Sequence, residues 1–331
     1  MPRNTRYPTD LWKAGIVLAI VCPGQGSQTP GLLSPWLEVQ GVAEHLGELS
    51  RLAGRDLLEH GTVSDEETIK DTAVAQPLIV AAGLVAARAL FDGSTVPEGT
   101  VLAGHSVGEI TASALSGALT EADAMVFVRE RANAMAQAAA ATPTGMAAVL
   151  GGDRAEVLAA LEDAGLTAAN SNGGGQIVAA GTREAIAAFA ASPPAKTRVI
   201  PLKVAGAFHT SHMGPAVGTL EALVPALAPA DPRGVLLSNF DGAPVTSGAA
   251  NLASLVAQVS RPVRWDLCME GLSALGVTGI LELPPAGTLV GLAKRGLKGV
   301  ATLAVKTPED LDAARAFVAE HTGTATGEET N

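Results

Sequence analysis

Residues Gly104-His105-Ser106-Val107-Gly108 form a G-x-S-x-G pattern directly after the apolar run Val101–Ala103. A serine placed this way sits on a tight strand-to-helix turn, its hydroxyl exposed and a backbone N–H beside it. The flanking glycines suit such a turn, because a Cβ at either position would crowd the neighbouring strand or helix. The chemistry implied is attack by Ser106 on an acyl group. With 37 glycines in 331 residues the pattern also arises without function, so its weight depends on partner residues elsewhere.

A serine nucleophile needs a base. The histidines are His45, His60, His105, His209, His212 and His321. His105 adjoins the serine, and neighbours on such a turn point different ways. His209 follows Gly206-Ala207-Phe208, where small residues leave room for a ligand. Arg131 lies with Arg129 in a mostly apolar stretch, four residues before Met135; a guanidinium held there can grip a carboxylate as a bidentate fork. Pro23-Gly24-Gln25-Gly26-Ser27-Gln28 follows the first strand-like run, and its glycines let backbone N–H groups point into a site, as an oxyanion hole or a phosphate cradle requires. The absence of a Walker lysine and of G-x-G-x-x-G spacing disfavours a nucleotide fold. Taken singly, each feature has a plain alternative: a satisfied core histidine, a snorkelling arginine, an ordinary loop.

The elements that must position these residues alternate between strand and helix. Strands are expected at 16–21, 101–103, 234–239 and 279–283, and helices at 76–91, 107–116, 121–141, 211–227, 251–259 and 310–320. Such alternation predicts an α/β unit with a mostly parallel sheet. Residues 145–203 have another rhythm, with strands at 146–150, 167–170, 177–180 and 197–204 and helices at 154–163 and 183–189. That βαββαβ order is ferredoxin-like. The expected organisation is therefore a discontinuous core (14–142 and 206–320), an inserted subdomain (143–205), an N-terminal extension (1–13) and a disordered tail (321–331). Arg3, Arg6 and Lys13 before the apolar run 14–22 imitate a targeting signal. No small-x-small site follows and the run is too short for a bilayer, so a buried first strand is expected.

Composition narrows the class. Hydrophobic residues make up 47% of the chain but aromatics only 3%, so a large core must be built from Ala, Val, Leu and Ile. The net charge of −11 disfavours nucleic acid and anionic membrane surfaces as partners. Two cysteines, Cys22 and Cys268, give no disulfide framework and suggest a reducing, cytoplasmic setting.

Five elements in order carry a resemblance: Gly24-Gln25-Gly26-Ser27-Gln28; Gly104-His105-Ser106-Val107-Gly108-Glu109; Arg131 with Met135; Ala207-Phe208-His209; and Gln258 before Pro262-Val263-Arg264-Trp265. Together, over residues 16–318, they resemble the malonyl-CoA:acyl carrier protein transacylases of bacterial type II fatty acid synthesis and the acyltransferase domains of polyketide synthases. The resemblance implies an α/β-hydrolase-like core with an inserted ferredoxin-like subdomain. It implies that Ser106 is the nucleophile, His209 its base, and Gln258 the residue that orients His209 through its main-chain carbonyl. The backbone N–H groups of Gln25 and Val107 would form the oxyanion hole, and Arg131 would bind the malonyl carboxylate. His105, Met135, Phe208, Asn170 and Asn172 would line the pocket, with Phe208 and the small Val107 favouring malonyl over methylmalonyl.

The implied substrates are malonyl-CoA and the phosphopantetheine thiol of acyl carrier protein, with no permanently bound cofactor, no metal and a monomeric enzyme. Lys294, Arg295 and Lys298, or Arg261 and Arg264, are candidate docking cations for an acidic carrier protein. Asp231, Asp241, Asp266 and Glu282 are the nominal acids for a third triad member, and none stands out. Where the family has a Gly-Pro-Gly turn this chain has Pro284-Pro285-Ala286-Gly287, a loop expected to lie away from the nucleophile. A serine hydrolase or thioesterase on the same core, and a non-catalytic carrier-protein docking protein, are the alternatives.

Overall fold

The computed structural model describes residues 16–93 and 95–323. The expected extension at 1–13 and most of the expected tail, 324–331, lie outside the described residues. Among the described residues ten strands are formed: β1 (Leu18–Cys22), β2 (Val101–Gly104), β3 (Thr144–Gly151), β4 (Thr167–Gly173), β5 (Gln176–Thr182), β6 (Thr197–Pro201), β7 (Val235–Leu236), β8 (Val263–Arg264), β9 (Gly279–Glu282) and β10 (Ala301–Ala304).

The larger sheet has the order β10-β9-β1-β2-β7, and every pairing in it is parallel. Its central strand is buried along its whole length, as expected of a sheet covered on both faces. Side-chain alternation divides the core. Leu18, Ile20 and Cys22 join one hydrophobic cluster, with helices Thr72–Leu90 and Glu121–Ala141. Val17, Ala19 and Val21 join another, with helices Trp265–Ala274 and Thr288–Gly296. Helix Thr72–Leu90 is long and apolar enough to cross a membrane by composition, yet most of it is buried within the protein.

The smaller sheet runs β6-β3-β5-β4-β8. Its first four strands are antiparallel and carry helices Arg154–Asp163 and Arg183–Ala191, with a separate small core between sheet and helices. The fifth strand was not foreseen. β8 comes from beyond residue 206 and pairs parallel with β4. The insertion is thus tied by backbone hydrogen bonds to a later segment of the core chain, and not only by its two connections.

Several boundaries differ from the expected ones. The strand expected to run to residue 204 ends at Pro201, and the expected 234–239 strand is reduced to Val235–Leu236, with Ser238 and Asn239 curling away. Both shortenings release chain toward the site described below. The segment expected to be one helix at 211–227 is a helix Gly214–Leu223 between two short 3-10 turns. The closing helix, Leu311–Thr322, takes in His321, which the sequence reading assigned to the tail; the ring is buried and hydrogen-bonded to Thr278.

Candidate active site

Register brings two loops together. β1 and β2 are paired with Cys22 opposite Gly104, so the chain leaving each strand emerges at the same carboxyl edge of the sheet. This is the edge at which open α/β sheets place their ligands. The loop after β1 carries Gln25, and the turn after β2 carries Ser106. A Cβ on Gly104 would collide with the backbone of Gly108, and a Cβ on Gly108 with the carbonyl of Cys22. Only glycine allows this turn.

Ser106 has φ 55° and His209 φ 61°, both in the left-handed region. Each such residue stores roughly 1–3 kcal/mol of strain, which the surroundings must over-determine. For Ser106 they do so through its N–H, which donates to Asn239 Oδ1 at 2.8 Å, while Asn239 Nδ2 donates to the Gly104 carbonyl at 2.6 Å. For His209 the backbone N–H donates to the Val259 carbonyl at 3.0 Å. Its ring Nδ1 lies 2.9 Å from the Gln258 carbonyl, and its Nε2 lies 2.6 Å from Ser106 Oγ. A carbonyl can only accept, so the proton sits on Nδ1, and Nε2 is left to accept from the serine hydroxyl.

The third member of this array is therefore a main-chain carbonyl in the last turn of helix Gly248–Gln258. Such a carbonyl is one that the helix leaves short of partners, at the negative end of its dipole. None of the four nominal acids fills this place. Asp231 accepts from the Gly248 N–H, Asp241 from the Ala243 N–H, and Asp266 pairs with Arg264 and Arg154. Glu282 accepts from the N–H groups of Gly287, Leu289 and Val290.

Arg131 lies on helix Glu121–Ala141 and is 1% exposed. Its Nη1 donates to Gln76 Oε1, its Nη2 donates to Gln258 Oε1 at 2.7 Å, and Nη2 also reaches within 3.4 Å of Ser106 Oγ. It forms no salt bridge among the described residues, and its Nε has no hydrogen-bond partner there. A guanidinium carries five N–H donors. One hydrogen on each terminal nitrogen is committed to a glutamine; the second on Nη1 is left for a carboxylate, and the second on Nη2 makes only the long 3.4 Å bond to Ser106 Oγ, which a carboxylate could replace. Burial lowers the Arg131 pKa only to about 10, so it remains a cation at neutral pH. Burial first, and then this cation, hold the His209 ring down at about 3.

A cavity of about 170 Å³ opens beside these groups. It is smaller than the roughly 300–1,000 Å³ of drug-sized sites, and suits a short acyl group. Gln25, His105, Ser106, Val107, Arg131, Met135, Asn170, Asn172, Phe208 and His209 all line it. His105 Nε2 lies 2.9 Å from Asn172 Oδ1, across the seam between the two sheets. The N–H groups of Gln25 and Val107 have no acceptor among the described residues. Val107 is 1% exposed, so water does not serve it well, and both groups are free for an oxyanion.

Three findings correct or extend the sequence reading. The Pro284–Gly287 turn is not remote from the nucleophile: the helix it starts contributes Thr288, Leu289 and Leu292 to the cavity wall. Gln76, Glu109 and Asn239 belong to the polar network although sequence reasoning assigned them no role. The signal for Gln76 was a lone amide in the apolar run 72–90; Glu109 stood in the motif that carries the resemblance but without a role, and Asn239 had no signal beyond its polarity. The candidate docking cations lie outside the cavity. Lys294, Arg295 and Lys298 are exposed at the end of helix Thr288–Gly296. Arg261 stacks 5.3 Å over Phe240, and Arg264 is held by Asp266 at 2.9 Å, which raises its pKa further.

Comparison with known proteins places the chain as a whole. Residues 19–326 match the acyl transferase domain family. A malonyl CoA-acyl carrier protein transacylase of Mycobacterium tuberculosis is 52% identical over 297 residues, covering 89% of this chain and 98% of that protein. The crystal structure of MCAT from Mycobacterium tuberculosis superposes with a TM-score of 0.85 at 51% identity, covering 90% of this chain and 99% of that one. A type II PKS acyl-carrier protein in complex with its malonyl-transacylase gives a TM-score of 0.84 at 29% identity, covering 91% and 99%.

Proposed function

The chain belongs to the acyl transferase domain family, and we propose that it moves a malonyl group from malonyl-CoA to the phosphopantetheine thiol of an acyl carrier protein, through an ester on Ser106. The observation that carries this reading is the Arg131 guanidinium, buried without a carboxylate partner and 3.4 Å from the serine oxygen. A buried cation in that state is costly unless its ligand is anionic. The acyl groups that fit are short and end in a carboxylate.

In the first half-reaction Ser106 Oγ attacks the thioester carbonyl while its proton passes to His209 Nε2. The carbonyl oxygen becomes an oxyanion between the N–H groups of Gln25 and Val107. When the intermediate collapses, the C–S bond breaks and the departing CoA sulfur takes the proton from His209. In the second half-reaction the carrier's thiol gives its proton to His209 and attacks the malonyl ester. Ser106 then leaves and recovers that proton. A neutral carbonyl on His209 Nδ1 stabilises an imidazolium less than an aspartate would. That suffices for a thioester, which is far more reactive than an amide. The chemistry needs no resident cofactor, and the two buried, unpaired cysteines agree with a cytoplasmic enzyme of fatty acid or polyketide synthesis.

Intact-mass measurement after exposure to malonyl-, methylmalonyl- and acetyl-CoA tests the reading. A gain of one malonyl group, well above any acetyl gain, is expected; a chain that stays unmodified by malonyl-CoA overturns it.

Two finer points concern selectivity and partner. Phe208 is 6% exposed and faces the cavity, where its ring occupies space that an α-methyl group would need. In Phe208→Ser the ratio of methylmalonyl to malonyl loading should rise by roughly tenfold, the scale of one methyl group in a fitted pocket. Competition between the two CoA esters reads this directly, and an unchanged ratio removes Phe208 from the selectivity account. For docking, the Lys294, Arg295 and Lys298 cluster is favoured over Arg261 and Arg264. Its helix also forms the cavity wall, whereas Arg264 is already paired. Reversing charge at Lys294 and Arg295 should raise the KM for carrier protein by about tenfold and leave that for malonyl-CoA unchanged. Equal carrier KM values would reject this patch.

A further inference from the structure

Glu109 is an ionisable group that touches the catalytic array without lining the cavity. It is 1% exposed, in the first turn of helix Gly108–Leu115. One carboxylate oxygen accepts from the Asn239 backbone N–H at 3.0 Å, and the other accepts from Gln258 Nε2. We propose that Glu109 is a positioning residue for acyl selection: its carboxylate sets the orientation of the Gln258 amide, and through it holds the Arg131 guanidinium beside Ser106. This rests on Arg131 being the malonyl anchor.

The reasoning turns on which atoms can face one another. The Gln258 side chain has two nearly isosteric ends, an acceptor and a donor. Oε1 faces Arg131, which can only donate, and a flipped amide would set N–H against N–H there. Nε2 faces the Ser106 carbonyl at 3.1 Å and the Glu109 carboxylate. Both are acceptors, and together they hold the amide in the orientation Arg131 needs.

Glu109 is held in turn by Asn239, which also ties down the Gly104–Ser106 turn. The hydrogen bonds thus run without a break from the nucleophile's turn, through Asn239, Glu109 and Gln258, to the guanidinium. An ionised carboxylate has no donor, so it can meet both N–H groups at once. A glutamine at 109 would present its own NH₂ to one of them. Glu109 also supplies negative charge near a buried guanidinium that has no direct acidic partner. Burial pushes its carboxyl up to about 7, opposed by the Asn239 and Gln258 donors and by Arg131.

The test compares Glu109→Gln and Arg131→Ala with the parent enzyme, reading kcat and KM for malonyl-CoA and acetyl-CoA alongside thermal unfolding. Glu109→Gln should reduce the malonyl-over-acetyl preference by about 10- to 100-fold, the worth of one hydrogen bond to a charged group, mainly through KM for malonyl-CoA. Gln258→Met removes the amide through which Glu109 acts on Arg131 and should lower that preference to a similar extent, with Glu109→Gln adding little on top of it. Glu109→Gln that keeps its preference where Arg131→Ala loses it overturns the positioning role while the anchor reading stands. A lowered Tm with both KM values unchanged also overturns it, since packing alone would do that. If Arg131→Ala itself keeps the preference, the anchor reading fails and the role of Glu109 with it. Should Glu109→Gln not fold, Gln258→Met decides: folded protein that keeps the malonyl preference rejects the proposal.

Discussion

Ser106→Ala is expected to lower malonyl transfer by roughly 10⁶-fold, the scale seen when a nucleophile that works as a unit with its base is removed. The malonyl mass gain should vanish with it. The physical reason is narrow. Ser106 Oγ bonds to His209 Nε2 and approaches Arg131 at 3.4 Å, so its removal deletes the attacking atom and leaves the oxyanion donors and the anchor in place. Malonyl-CoA should therefore still bind, with a KM near that of the parent. The turn should persist, because the Ser106 N–H keeps its bond to Asn239 and the glycines at 104 and 108 are untouched. Measuring adduct mass and thermal unfolding on the same sample separates loss of chemistry from loss of fold. A malonyl adduct that survives in this variant would place the nucleophile elsewhere.

Arg131→Ala should cost malonyl transfer roughly 10²–10³-fold, since a desolvated charge pair across an interface is worth about 2–5 kcal/mol. Acetyl transfer should fall far less. Arg131 has a second effect with the opposite sign. After burial, it is the next cause that holds His209 near pKa 3, which keeps the ring neutral but makes it a weak base. A malonyl carboxylate bound on Arg131 would offset that field, and the base should then strengthen when the right acyl group is bound. Removing Arg131 relaxes the same constraint for every substrate. The variant should thus retain or gain acetyl transfer, and comparing the two CoA esters in one assay reads both effects. Equal losses for malonyl and acetyl would mean that Arg131 supports the site without selecting the substrate.

The lowered pKa of His209 also bears on stability. A histidine takes up protons more readily when unfolded, at an ordinary value near 6.5. Its contribution to stability is complete above that value and is lost as pH falls from there toward 3.

Much of this was legible along the chain, for identifiable reasons. G-x-S-x-G is a local constraint: two glycines and a serine specify the turn because each forbidden Cβ clashes within a few residues of sequence or with the paired strand. The βαββαβ order of 144–201 was legible because hydrophobic period and turn chemistry act locally. The positions of β8, of the helix after Pro285 and of Glu282 were not. Val263–Arg264 forms only two residues of strand, too few for a periodicity, and it exists because β4 offers a free edge. The Pro284–Gly287 turn reads as a loop away from the nucleophile until helix Thr288–Gly296 is seen against the cavity. Glu282 looked like a spare acid, and burial against three N–H donors is what gives it a structural role.

By itself, the sequence determined the nucleophile's turn, the alternation that builds a parallel sheet, and the residue types a carboxylated acyl group requires. These follow from backbone sterics and hydrophobic periodicity, which need no distant partner. The family resemblance implied that the Gln258 carbonyl, not an acid, orients His209; tertiary structure set that carbonyl at a helix end, 2.9 Å from the ring Nδ1. It also decided that Arg131 is buried rather than snorkelling, and that Glu109 and Gln258 tie the two together. Those choices depend on which groups are removed from water side by side, and residues 109, 131, 209 and 258 meet only when the sheet register has set their elements in place.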